Sequence, residues 1–281
     1  NDTYVIPAAA NVAGAFGTRW MTQFSLFNPQ LDHTLRVSIV YLPTGGGQAS
    51  EAFRDIAPNG TYVTDNALND IFGITGTGAL LVATFAEDNP TVPDTVLDRA
   101  FLVTTNTFNN SRSGTFGQTI PGVWAGLQDF DTDGISAIAH GIRNLTSAGW
   151  RTNIGAVNLG RRSVVMTVTV YDEHGNRLNQ SPFTVPPLGH VQDVLPVQVD
   201  RGSIEFWIDD SSQEAVVFPY TSTIDQLSGD PTYQFPTLLA SPHTLFGKKG
   251  IAMTTATQNP GRRIDNAAAR AIRATALRVR E

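Results

Sequence analysis

Three carboxylates at alternate positions, Asp129, Asp131 and Asp133, are followed by Gly134, the spacing that opens a calcium-binding loop. Alternate oxygen ligands with a glycine at the turn suit a hard divalent cation, and Ile135 would add a main-chain carbonyl. Where such a loop needs a bidentate glutamate, the chain has His140, a poor ligand for a hard cation. The flanks, VWAGLQ and ISAIAHGI, lack helical faces. Two readings follow: a looser calcium site, or a solvated acidic connector between domains, and the connector is preferred. The sequence requires no cofactor, and calcium is the one candidate ion.

Aromatic side chains are the next candidates, because stacking on pyranose rings is how many sandwich proteins hold sugars. In IEFWIDD, the alternation puts Ile204, Phe206 and Ile208 on one face and Glu205 with Trp207 on the other. Trp207, beside Asp209 and Asp210, is therefore a candidate ligand platform or interface anchor, as is Trp124. Trp20 and Trp150 stand at matching places in similar stretches and are expected to fill cores.

Catalytic signatures are missing: there is no HExxH, no GxSxG elbow, no P-loop and no GxGxxG after a strand. The histidines, His33, His140, His174, His190 and His243, are scattered and read as surface residues. The expectation is a protein that is not an enzyme. Sequons at Asn59, Asn109 and Asn144 carry little weight in a chain rich in Asn and Thr.

The elements that would position these residues come from an internal repeat. WMTQFSLFN (Trp20–Asn28) matches WRTNIGAVN (Trp150–Asn158), and the same spacing lays VSIVYLPTG (Val37–Gly45) on TVTVYDEHG (Thr167–Gly175), so that Tyr41 meets Tyr171. GALLVAT (Gly78–Thr84) then corresponds to GSIEFWI (Gly202–Ile208). Within each copy the apolar period is two: Phe24 and Leu26 alternate with Gln23 and Ser25, and Val164, Met166, Val168 and Val170 with Thr167 and Thr169. Turn signals such as PTGGG, APNG, EHGN and PPLG separate the strands. One short helix is expected over Asn66–Phe72. The fold class is all-β: two tandem antiparallel β-sandwiches of the immunoglobulin or jelly-roll kind, each of about seven strands. The expected boundaries are 1–126 for the first sandwich, 127–134 for an acidic linker, 135–247 for the second sandwich and 248–281 for a basic extension.

That extension holds eight basic residues against two acidic ones, a net +6 that leaves −12 on the rest of a chain whose total is −6. Such asymmetry marks an arm seeking an acidic surface, and another copy of the body is the nearest one. Read as a helix, it places Arg262, Arg270, Arg273 and Arg280 largely opposite an apolar face that would fold against the chain's own second domain; Arg263 adds to the charge. Read as a strand, it alternates Thr275, Leu277 and Val279 with Ala276, Arg278 and Arg280. A strand of this kind can add to a sandwich edge, and head-to-tail addition builds filaments rather than closed dimers.

The chain has no cysteine, so disulfides and thiolate metal sites are excluded. No apolar run approaches the roughly 18 residues of a membrane helix, and the acidic total argues against nucleic acid as a partner. The start at Asn1, without methionine or a charged-then-apolar leader, fits a mature protein whose signal peptide has been removed. The stretches WRTNIGAVNLG and GTFGQTIPGV resemble the RTN-G-VN and GTFGQ-IP signatures of uncharacterised exported bacterial proteins with tandem sandwich repeats. That resemblance implies the fold, export and an extracellular or cell-surface location, and it transfers no catalytic residue. The expected function is a self-associating structural protein, the subunit of a filament joined through its C-terminal extension. The alternatives are a carbohydrate- or surface-binding module with a glycan partner, or accessory domains of a larger secreted enzyme.

Overall fold

The computed structural model describes residues 3–14, 17–92, 98–111, 114–125, 135–208 and 216–240. Asp129, Asp131 and Asp133 lie outside these residues, as do Arg262, Arg263, Arg270, Arg273, Leu277 and Val279 of the basic extension. The chain forms two compact units, which hold described residues 3–125 and 135–240 respectively. Both are all-β and sandwich-like, and every strand pairing is antiparallel.

The first unit contains β1 (Thr3–Ala13), β2 (Arg19–Phe27), β3 (Leu35–Pro43), β4 (Ser50–Ile56), β5 (Thr61–Thr64), β6 (Gly76–Ala83), β7 (Leu102–Ser111), β8 (Gly114–Pro121) and β9 (Val123–Trp124). Their order is β4-β3-β6-β1-β2-β7-β8, with β5 paired to β2 and β9 to β1. Strand β1 serves both halves. Its first residues pair β6 and β9, the register shifts between Ile6 and Ala9, and Asn11–Ala13 then pair β2. A shift of this kind bends a strand, which lets one strand turn from one layer to the other. The alternation expected of β2 holds: Thr22, Phe24 and Leu26 are buried, while Gln23, Ser25 and Phe27 are half-buried. Helix α1 (Ala67–Phe72) starts where expected, with the Asn66 side chain accepting from the Asn69 amide, and ends at Gly73 in the left-handed region (φ 68°).

The second unit contains β10 (Ile135–Asn144), β11 (Trp150–Asn158), β12 (Val164–Tyr171), β13 (Arg177–Val185), β14 (Gly189–Val194), β15 (Val199–Trp207), β16 (Val217–Asp225), β17 (Pro231–Gln234) and β18 (Thr237–Ala240). They form a five-stranded sheet, β13-β12-β15-β10-β18, and a four-stranded sheet, β14-β11-β16-β17. Strand for strand this is the order of the first unit, opened between the strands that correspond to β1 and β2. Each unit has nine described strands rather than about seven, because the short edge strands β5, β9, β17 and β18 carry too few residues to show a period. The core lies between the sheets: Met166, Val168, Val170, Ile204 and Phe206 from the larger sheet pack with Ile154, Ala156 and Val217 from the smaller.

The residues shared by WMTQFSLFN and WRTNIGAVN acquire a physical meaning here. Thr22 and Thr107 join their hydroxyls at 2.8 Å across β2 and β7, and Thr152 and Thr223 do so at 2.8 Å across β11 and β16. Asn28 donates to the carbonyls of His33, Ile56 and Ala57 and accepts from the Gln30 amide. Asn158 donates to the carbonyls of Arg162 and Val185 and accepts from the Gly160 amide. Both asparagines are fully buried and satisfy loop carbonyls that would otherwise be orphaned. Trp20 and Trp150, expected in the cores, are half-buried at the start of their strands instead, and Arg143 lies 5.0 Å over the Trp150 ring.

The pairing of Tyr41 with Tyr171 is one residue out. A Cβ on Gly78 would collide with the Leu42 carbonyl, and one on Gly202 with the Tyr171 carbonyl, so Leu42 is the counterpart of Tyr171. The partners agree: Leu42 pairs Ala79 and Tyr171 pairs Ser203. A one-residue slip reverses the face. Tyr41 is buried, whereas Tyr171 points away from the core beside Glu205.

Candidate interaction sites

Strand β15 alternates as its sequence predicts, with Ile204, Phe206 and Ile208 in the core and Glu205 with Trp207 opposite. That opposite face is not open to solvent at Glu205, whose exposure is 2%. Ser136 of β10 donates to its Oε1 at 2.6 Å and Tyr171 of β12 to its Oε2 at 3.1 Å. A carboxylate taken out of water needs such donors, and Ser136, fully buried, supplies the shorter bond. The Tyr171 hydroxyl has its pKa raised, chiefly by burial and then by the charge of Glu205. Trp207 is half-buried on the same face, between Ser136 and Thr167 of the flanking strands. Trp124 lies on the two-residue strand β9 and is 38% exposed.

The histidines are not all surface residues. His140 and His174 are exposed, and His33 bonds Asp32 at 2.6 Å and the Asp98 carbonyl at 2.8 Å. His190 of β14, by contrast, is 1% exposed. Its Nε2 lies 2.8 Å from the Tyr220 hydroxyl, and Tyr220 donates to Gln192 Oε1 at 2.8 Å. With that proton committed to Gln192, Nε2 of neutral His190 is the donor to the Tyr220 oxygen. The His190 ring is stacked on Tyr220 (centroids 5.9 Å, 10° between planes), and Tyr220 on Tyr233 at 5.6 Å. Gly155 lies beneath: a Cβ there would enter the Tyr220 ring. Burial pushes the His190 pKa down to about 3 and raises those of Tyr220 and Tyr233. The cluster is held neutral near pH 7 and serves as hydrogen-bonded packing.

Sequence reading misses this cluster because its members come from β11, β14, β16 and β17, each contributing one or two residues. The nearest signal is Gly155 in mid-strand, which indicates close approach by a neighbour. Two of the sequons are also structural. Asn109 and Asn144 are each 2% exposed, and Asn109 accepts from the Arg19 amide while Asn144 donates to the Leu195 and Val197 carbonyls. Asn59 is exposed in a turn at φ 51°.

Exposed apolar residues follow a pattern. Among the described residues nine large ones are exposed, and five of these lie on strands paired on one side only: Val63 (β5), Trp124 (β9), Leu178 (β13), Val194 (β14) and Leu239 (β18). An edge strand offers unpaired backbone groups, and an apolar side chain there adds contact area for a further strand. Among the described residues no three metal-ligating side chains converge, and no helix is long and apolar enough to cross a membrane. No protein-family model, curated protein or solved structure matches the chain.

Proposed function

We propose that the chain is a non-enzymatic, exported structural protein that associates with further copies of itself into a cell-surface or extracellular filament. The basic extension, residues 248–281, is the connecting arm. The two units are read as tandem copies of one sandwich, which their common strand order and the twin Thr and Asn clamps support. The observation that carries self-association is the placement of exposed apolar side chains on edge strands, where soluble monomers ordinarily place charge or proline. The net +6 of the extension against −12 elsewhere gives copies an attraction that steers tail toward body. Light scattering of the full chain across a salt series tests this. Assembly is expected at low salt, with mean size falling as ionic strength rises. A chain that stays monomeric at every salt concentration would contradict it.

A further inference from the structure

One sheet of the first unit turns an uncharged face to solvent. Strands β5, β7 and β8 contain no charged residue, and β2 has only Arg19, at its first position. A water-facing surface ordinarily carries charge among its polar residues, and charge is depleted where a surface is built for binding. The register gives this face an order. At one end Met21 lies beside Phe108, at the other Phe27 lies beside Leu102, and Val63 of β5 adjoins Ser25. Between the ends Gln23 pairs with Asn106 and Ser25 with Thr104, and Thr119 of β8 stands next to Asn106. Leu102 and Val63 are 59% and 56% exposed, Thr104 and Thr119 are exposed, and Met21, Phe27 and Phe108 are half-buried. From Met21 to Phe27 the strand rises about 20 Å, and the four strands span about 15 Å. Gly117, opposite Phe108 on β8, puts no side chain against it, and a Cβ there would stand 2.7 Å from the Phe108 Cβ.

We propose that this face binds a neutral polysaccharide, laid along β2 and β7 from the Met21–Phe108 end to the Phe27–Leu102 end. A pyranose ring has apolar C–H faces, which Phe, Leu and Met side chains cover, and a rim of hydroxyls. Amides and hydroxyls both donate and accept, so Gln23, Asn106, Ser25 and Thr104 match that rim without charge. The neutrality of the ligand follows from the margins. Arg19 is bonded to Asn11 Oδ1 at 3.2 Å, and Asp65, which accepts from Gln23 Nε2 at 2.9 Å, repels an anionic polymer. A patch of roughly 20 by 15 Å is well below the roughly 800 Å² per partner of a stable protein interface. Its centre is also polar, so an extended ligand one chain wide suits it better than a second copy. The site belongs to the first unit alone, because the counterparts Gly155, Val157, Phe218 and Tyr220 are buried. The inference is independent of the self-association reading.

Depletion of the full chain from solution by insoluble cellulose, mannan and β-1,3-glucan tests it, with bead-bound polygalacturonate as the anionic control. At least one neutral polymer should retain the chain, and polygalacturonate should not. Leu102→Ala should weaken that retention about three- to tenfold, and Thr104→Glu, which puts a charge in mid-face, at least as much. Both positions are exposed, so both variants should keep the parent's thermal unfolding. Leu178→Ala, at an exposed position on β13 of the second unit, should change nothing. Retention by none of the neutral polymers overturns the inference, as does retention that neither first-unit variant weakens or that polygalacturonate shares equally. If the two variants instead lower light scattering of the chain alone and no polymer retains it, the face is a contact between copies, and the inference falls while self-association stands. If the parent does not assemble, yet a neutral polymer retains it and Leu102→Ala weakens that retention, the inference stands and the self-association reading falls.

Discussion

The sheet β5-β2-β7-β8 of the first unit and the sheet β14-β11-β16-β17 of the second have the same strand order, yet their outward faces differ. In the first, Gln23, Ser25 and Phe27 of β2 stand between Val63 of β5 and Leu102, Thr104 and Asn106 of β7. Val63 and Leu102 are 56% and 59% exposed. In the second, the same places hold Asn153, Gly155 and Val157, buried beside Phe218, Tyr220 and Ser222 of β16, while on β14 His190 is buried and Gln192 and Val194 are exposed. The inward faces differ far less, since the Thr–Thr ladder and the buried Asn clamp recur in both. What the units have in common therefore specifies the strand plan, and what distinguishes them lies on surfaces that the plan leaves free.

The largest effect expected from this comparison comes from moving a residue between the faces. Gly155→Ser, which installs the first unit's Ser25 at its counterpart, places a Cβ inside the Tyr220 ring and should destabilise the second unit by about 2–3 kcal/mol. Native-state hydrogen exchange resolved by unit would register it as faster opening of the second unit alone. The reverse change, Ser25→Gly, has no ring to meet and should cost about 0.5–1 kcal/mol through strand propensity.

Acid should separate the units next. His190 is held neutral in the folded chain, its pKa pushed down to about 3 from 6.5, so between these values the unfolded chain takes up a proton that the folded one does not. Stability is therefore full above pH 6.5 and declines as pH falls toward 3, by about 2 kcal/mol at pH 5. Thermal unfolding followed against pH should show this slope in the second unit, and His190→Gln should flatten it.

Smaller still is Tyr220→Phe, which removes the oxygen bonded to His190 and Gln192 and should cost about 1–2 kcal/mol. Its counterpart on the solvated face, Thr104→Val, should stay within about 0.5 kcal/mol. Equal losses at the two positions, in chemical denaturation of each variant, would mean that the faces are alike in energy despite their difference in burial.

Strand content was legible in the sequence wherever a period of two ran for several residues, as in Val164–Val170 and Gln23–Phe27. The motif residues Trp20, Thr22 and Asn28 stood out too, although only geometry shows that Thr and Asn are the clamps and that the tryptophans are half-buried. Register was less legible. The Tyr41–Tyr171 match is attractive by identity, but close approach at Gly78 and Gly202 fixes the true pairing one residue away. The buried side of Glu205 and the His190–Tyr220 contact depend on residues distant along the chain, such as Ser136 and Gln192, so no local pattern encodes them. Edge protection lies between these extremes: charge and proline are visible in the sequence, but the strand order says which strands are edges.

Sedimentation velocity of the full chain over a concentration series tests the central claim most directly. The account predicts a weight-average mass that rises continuously with concentration, as open head-to-tail addition requires. A single species of 30.2 kDa at all concentrations would contradict it.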